Sequence, residues 1–195
     1  NKQKKLFWIA SYPKSGNTLL RGMLSALMSS KLYATDGSVD LAKLFLIPQF
    51  PSYFHFKESV PEEAFTNIEK LCKYWIKIQR EINSNKKINL LKTHHLRCSV
   101  NGHNFTDANN TAGTIYITRD PRNIFTSLKN YFGYTDEKTL AVMSHETWYL
   151  TPLAEQEPKE IHTLIGSWCS NYNSWTKNNR NLLLIKYEDL INNKK

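Results

Sequence analysis

Leu6-Phe7-Trp8-Ile9-Ala10-Ser11-Tyr12-Pro13-Lys14-Ser15-Gly16-Asn17-Thr18-Leu19-Leu20 is the stretch that decides the fold. Its first six residues form a short apolar run, bounded by charge on one side and Tyr12-Pro13 on the other, which is the pattern of a central strand. After a polar loop, Leu19, Leu20, Met23, Leu24, Leu27 and Met28 recur at helical spacing. The unit is strand, polar loop, helix. A lone Gly in such a turn lets backbone N–H groups approach an anion, and the helix N-terminus adds partial positive charge. Lys14 supplies a full charge, and Ser15, Asn17 and Thr18 supply further donors. The loop differs from the nucleotide-hydrolase pattern, which needs Gly, four residues, then Gly-Lys-Ser/Thr. Here Lys14 precedes the one Gly.

Outward from that unit, strands and helices alternate. Pro61-Glu62-Glu63 reads as a helix start, with Phe65, Ile68, Leu71, Cys72, Trp75 and Ile76 marking the buried face. Residues 88–92 read as a second strand, 97–111 as loop, and 114–118 as a third strand rich in β-branched residues. Asp120-Pro121 suits the N-cap and first position of a helix running through Ile124, Leu128 and Tyr131. A further helix is expected to carry Ile161, Leu164, Ile165, Trp168, Tyr172 and Trp175 on one face, before a fourth strand over 182–185. The pattern predicts an α/β fold: P-loop-like, three layers α/β/α, with a central, mostly parallel sheet. Residues 33–60 look like an insertion or lid over one sheet edge. No repeat or internal boundary appears, so residues 1–195 read as a single domain. In such sheets ligands gather beyond the carboxyl ends of the strands.

Composition narrows the function classes. The 195 residues are 41% hydrophobic and 12% aromatic, which excludes a disordered chain. No stretch approaches the length of a membrane span. Residues 6–10 after a basic start are too short for a signal peptide. Cys72, Cys98 and Cys169 are odd in number and far apart, offering neither a disulfide framework nor a metal knuckle; reduced thiols in a cytoplasmic protein are expected. The net charge of +9 suits a polyanionic ligand and equally a solvated surface. Two Asn-x-Thr sequons, at Asn104 and Asn109, matter only in a secretory compartment.

Three more segments carry chemistry. Lys92-Thr93-His94-His95 closes the second strand: a neutral imidazole can take a proton from a hydroxyl, and a nearby Lys can stabilise a charged transition state. The alternative is a hydrogen-bonded structural histidine. Because adjacent strand residues point to opposite faces, His94 and His95 are not expected to share a metal. Arg119-Asp120-Pro121-Arg122, with Ser127 eight residues after Arg119, could hold a phosphate; otherwise the arginines pair with Asp120. Tyr187-Glu188-Asp189-Leu190 places an aromatic ring beyond the fourth strand, for stacking, for hydrogen bonding, or as a packed residue at a helix start.

Taken together these segments resemble the sulfotransferases that use 3′-phosphoadenosine 5′-phosphosulfate (PAPS). Tyr12-Pro13-Lys14-Ser15-Gly16-Asn17-Thr18 resembles their 5′-phosphosulfate loop, and Lys92-Thr93-His94 their Lys-Thr-His element. Arg119, Asp120, Pro121 and Ser127 resemble the 3′-phosphate element, Tyr187-Glu188-Asp189-Leu190 the element after a later strand, and Gly166-Ser167-Trp168 with Trp175 the helix before it. Five elements stand in the family's order over essentially the whole chain. The resemblance implies that Lys14, Ser15, Gly16, Asn17 and Thr18 cradle the 5′-phosphosulfate, and that Lys14 stabilises the leaving phosphate oxygen. It implies His94 as general base, Lys92 on the transferring sulfuryl group, Arg119 and Ser127 on the 3′-phosphate, and Tyr187 at the adenine. Transfer would be direct and metal-free. The Lys-Thr-His element points to a small hydroxylated or amine acceptor and a cytoplasmic enzyme, with neither nucleic acid nor a membrane span involved.

The sequence departs from the family pattern in three places. Leu19 stands where an adenine-stacking Trp is usual, a contact of roughly 1–3 kcal/mol. Asn171 stands where a His is expected. The Arg-Lys-Gly segment that completes the 3′-phosphate site lies beyond the Tyr-Glu-Asp-Leu element, and this sequence stops at Lys195. With Asn1 rather than Met at its start, both ends read as cuts, and the domain is expected to be incomplete at its C-terminus. A donor-binding relative without turnover is one alternative. A nucleotide-dependent phosphotransferase is another, and it would need a Mg²⁺-holding carboxylate, with Asp120 and Asp189 the candidates. A non-catalytic polyanion-binding module would cluster its basic residues with interleaved aromatics.

Overall fold

The computed structural model describes residues 6–28, 47–85, 87–150 and 161–192. Strand β1 (Leu6–Ser11) lies at the centre of a four-stranded sheet with β2 (Asn89–Thr93) on one side and β5 (Thr111–Thr118) on the other. β8 (Leu182–Lys186) completes it beside β5, in the order β2-β1-β5-β8, and every pair is parallel. Parallel strands need cover on both faces. Leu6, Trp8 and Ala10 point to one side and Ile9 to the other, and all four are fully buried.

Two apolar layers supply that cover. On the Trp8 side lie α4 (Trp75–Asn83) and α7 (Trp168–Thr176), which bring Trp75, Ile78 and Trp175 into the core cluster. The Trp8 indole sits 5.6 Å from the Phe50 ring, 5.4 Å from Phe105 and 6.0 Å from Trp175. On the Ile9 side, Leu20 and Leu24 of α1 (Asn17–Met28) and Leu190 of α8 (Tyr187–Asn192) pack with Ile117. The result is the expected three-layer α/β/α fold. α5 (Pro121–Phe132) and α6 (Asp136–Ser144) pack on each other beside Tyr12 and Ile165.

Several expected elements come out differently. The helix over 61–76 is broken into a 3₁₀ turn at Glu62–Ala64, a single α turn α3 (Ile68–Leu71), a second 3₁₀ turn and then α4. Asn67 accepts from the amides of Glu69 and Lys70, capping a new start in the middle of the apolar pattern. The stretch 161–167 is not helical: Thr163–Leu164 (β7) pairs with Tyr149–Leu150 (β6), and Ser167 caps α7. The loop 97–111 contains a small hairpin, Ser99–Val100 (β3) with His103–Asn104 (β4). On α1 the apolar spacing is only partly a buried face, since Leu19, Met23, Leu27 and Met28 are exposed. Of the presumed lid, 33–46 lies outside the described residues; residues 47–51 run along the edge of β2, and α2 (Tyr53–Phe56) follows.

His95 is part of the core. Its ring stacks on Phe105 at 4.2 Å and meets Trp75 edge-on at 4.9 Å, while Nδ1 donates to the Leu96 carbonyl. Burial pushes its pKa down to about 4, so the folded protein holds the neutral imidazole. The unfolded chain takes up the proton from pH 6.5 downward, so stability present above pH 6.5 is lost as pH falls towards 4. The expected loss is on the order of 3 kcal/mol. Chemical denaturation across this range should give a steep slope that flattens in His95→Phe; equal slopes would contradict the assignment.

Candidate active site

The strand order reverses between β1 and β5, and in such sheets ligands gather beyond the carboxyl ends of the strands near that point. The loop after β1 and the start of the segment after β5 meet there, joined by a bond from Arg119 Nη1 to the Lys14 carbonyl at 3.1 Å. Lys14 takes a left-handed φ of +66°, and Gly16 follows at +95°. The first helical bond of α1 runs from the Leu20 amide to the Gly16 carbonyl. The amides of Asn17, Thr18 and Leu19 thus precede the first intrahelical donor and are left without an intrahelical acceptor.

Lys14, Gly16, Asn17, Thr18, Lys92 and His94 line one cavity of about 500 Å³, together with Gln49 and an apolar stretch from Tyr131, Phe132 and Leu150. Ser15, between Lys14 and Gly16, is not in the lining; its hydroxyl is buried without a hydrogen-bond partner, and Arg119 Nε is buried in the same condition. Buried donors of this kind can take a ligand or a water; the core holds others, such as Trp75 Nε1 and His95 Nε2, away from the cavity. Asn17 behaves otherwise than expected. Its side-chain amide turns inward, donating to the Ile9 carbonyl and to Ser11 Oγ, and so ties the helix to the end of β1.

His94 is the chemically competent member. Its Nδ1 lies 2.7 Å from the Ser11 carbonyl, an acceptor, so that nitrogen carries the proton and Nε2 keeps its lone pair. Burial above all, then the Lys92 ammonium, with Arg21 and Lys14 adding to it, holds His94 well below the ordinary histidine value; the bond to Ser11 opposes the shift. The ring is therefore neutral at pH 7, the form that accepts a proton. Lys92 Nζ donates to Gln49 Oε1 at 2.7 Å. Burial and the neighbouring Arg119 guanidinium lower Lys14.

Tyr187 opens α8, with the Arg119 guanidinium 4.4 Å from the centre of its ring. Ser127 stands two turns along α5, half-buried. Asp120 caps α5 and pairs with Arg122 at 2.6 Å, as the ion-pair alternative supposed for Arg122, while Arg119 turns to the loop. Among the described residues no group of three His, Cys, Asp or Glu is placed to hold a metal ion.

Three contributors escaped the sequence reading. Gln49 reaches Lys92 because 48–50 pairs with β2, with Lys92 donating to the Pro48 carbonyl and accepting from Phe50; an insertion gives no sequence signal for this. Asn171 accepts from Tyr116 Oη and donates to the carbonyls of His94 and Ile165. Fully buried, it fixes the backbone that carries the histidine. It had registered as a departure, yet a polar residue on an apolar helix face was a usable signal. Tyr131, which the sequence places only on the helix after Asp120-Pro121, is exposed, against Lys14.

A sulfotransferase domain family model matches residues 4–195. Comparison with curated proteins finds no match. Among solved structures, retinol dehydratase in complex with androsterone and the inactive cofactor PAP is similar at 15% identity and a TM-score of 0.52, over 96% of this chain and 55% of that one. Retinol dehydratase in a complex with retinol and PAP is similar at 14% identity and a TM-score of 0.53, over 98% of this chain and 57% of that one. The chain thus spans a little over half the length of these proteins, and at such identities the likeness is one of fold.

Gly16 carries the tightest steric demand in the site. A Cβ there would lie 2.3 Å from Tyr187 Cδ2, at a φ that side chains rarely adopt. Gly16→Ala should lower stability by about 1–3 kcal/mol, read as a drop in the urea midpoint. Adding Tyr187→Ala should recover part of it by removing the clash; an unperturbed Gly16→Ala protein would contradict this packing.

Proposed function

Because the chain belongs to the sulfotransferase domain family, whose model spans its residues 4–195, we propose that it transfers a sulfuryl group from PAPS to a hydroxyl or amine of a small-molecule acceptor. One observation carries the reading: a neutral, Nδ1-protonated His94 shares one cavity with Lys14 and Lys92. The unpartnered Ser15 hydroxyl and Arg119 Nε beside it fit an anionic donor. The retinol dehydratase neighbours hold PAP and a small molecule, androsterone or retinol, and we carry both features over.

In this reading the 5′-phosphosulfate lies against Lys14, Ser15, Gly16 and the amides of Asn17 and Thr18. Arg119 and Ser127 hold the 3′-phosphate, and Tyr187 contacts the adenine. The acceptor oxygen attacks sulfur while the bond from sulfur to the 5′-phosphate oxygen breaks. The acceptor proton passes to His94 Nε2, and 3′,5′-ADP leaves with the bond's electron pair on an oxygen that Lys14 stabilises. Lys92 offsets the charge on the transferring group. Cations fixed where charge develops are the expected electrostatic device, and the mechanism assigns no role to a metal. Donor charge also offsets the field of Lys92, Arg21 and Lys14 at His94, making the ring a stronger base once the donor is bound. We place the reaction in the cytoplasm, where Cys72, Cys98 and Cys169, all free thiols, stay reduced.

Incubation with radiolabelled PAPS and a panel of phenols, alcohols and amines tests this directly: label should move to acceptors without added metal. His94→Ala should reduce turnover about 10²–10⁴-fold while leaving affinity for 3′,5′-ADP nearly intact. Equal rates for mutant and wild type at neutral pH would remove the base from His94. With His94 depressed, kcat/KM should hold through neutrality and fall only below the ordinary histidine value; a decline already between pH 8 and 7 would contradict this.

A further inference from the structure

Lys14 and Arg119 rest on tyrosine rings, and neither has a carboxylate partner among the described residues. The Arg119–Tyr187 contact is locked, because Tyr187 also packs on Gly16. The Lys14 contact is different in kind. Its backbone is fixed by the Arg119 bond to its carbonyl, so what can move is the side chain, whose Nζ lies 3.8 Å from the centre of the Tyr131 ring. Tyr131 is on the last turn of α5, one turn beyond Ser127, and is 67% exposed. With Phe132 and Leu150 it makes the apolar part of the cavity that Lys14 and His94 also line.

We propose that Tyr131 is a positioning residue that stores the Lys14 ammonium in the donor-free enzyme, and that the ring and the donor's phosphosulfate compete for it. This rests on the sulfuryl-transfer reading for the identity of the competitor. An ammonium in contact with a ring face has a direction of approach withdrawn from an anion, and the attraction must be given up before Lys14 engages fully. An exposed cation–π contact weakens such a competitor by about 2–5-fold. Because Tyr131 belongs to the apolar lining, the ring face that Lys14 leaves on donor binding is freed for an acceptor to pack against.

The test is NMR of lysine-labelled protein, with the Lys14 signal identified by its loss in Lys14→Arg. The Lys14 ε-methylene protons should lie upfield through the ring current in wild type and in Tyr131→Phe, and at the ordinary position in Tyr131→Leu. Since Tyr131 is exposed, the leucine empties no core. Adding 3′,5′-ADP should return the wild-type signal to the ordinary position. Tyr131→Leu should bind 3′,5′-ADP about 2–5-fold more tightly than wild type, with Tyr131→Phe unchanged. An ordinary shift in nucleotide-free wild type, or equal or weaker nucleotide binding by Tyr131→Leu, overturns the proposal and leaves the donor site standing. A wild-type protein that shows the upfield shift but ignores 3′,5′-ADP overturns the functional reading, and this proposal with it.

Discussion

Everything in the site hangs from the end of one buried strand. β1 runs parallel between β2 and β5, with Ala10 opposite Thr93 and Ser11 opposite Ile117. That register brings the Ser11 carbonyl to His94 and sets Lys14 across from Arg119. A parallel strand in this position must be apolar on both faces, so polar chemistry is excluded until the chain leaves the sheet. It then appears at once, in the loop and the helix N-terminus. The aromatic cluster around Trp8 holds the strand from one side, and α1 holds it from the other.

The second feature is positive charge held on aromatic rings. Lys14 lies on Tyr131 and Arg119 on Tyr187. A carboxylate at either place would oppose an incoming anion; a ring holds the cation without cancelling it. The buried Ser15 hydroxyl and Arg119 Nε, together with the left-handed backbone at Lys14, are local costs of the kind that persist where surrounding structure enforces them for function. Asn171 and Trp175 fix a different segment, the backbone just after β2. They bond the successive carbonyls of His94 and His95, so that one histidine faces the cavity and the next the core.

What the sequence made legible was set by short-range rules. The strand–loop–helix unit at 6–28 and the Asp120-Pro121 cap follow from apolar runs and cap chemistry, and each is found. His94 and His95 point opposite ways as expected, but they follow the last residue of β2, so bonds to their carbonyls and not strand alternation accompany those aims. Where apolar spacing stood alone it misled. Ile161, Leu164 and Ile165 fit a helical stripe, yet the Thr163–Leu164 pairing with Tyr149–Leu150 takes the backbone hydrogen bonds. The spacing over 65–76 is real, but Asn67 interrupts it with a competing cap. Gln49 and Tyr131 depend on how distant segments meet, which local pattern does not encode.

The proposed function requires that the cavity at the carboxyl ends of β1 and β2, with Arg119 beside it, take a nucleotide bearing both a 3′-phosphate and a 5′-phosphate group. Calorimetric titration with 3′,5′-ADP, set against AMP and Mg·ATP, tests it most directly. Tight binding that requires the 3′-phosphate and persists in EDTA is the predicted result. A preference for Mg·ATP, or equal affinity for AMP and 3′,5′-ADP, would contradict the account.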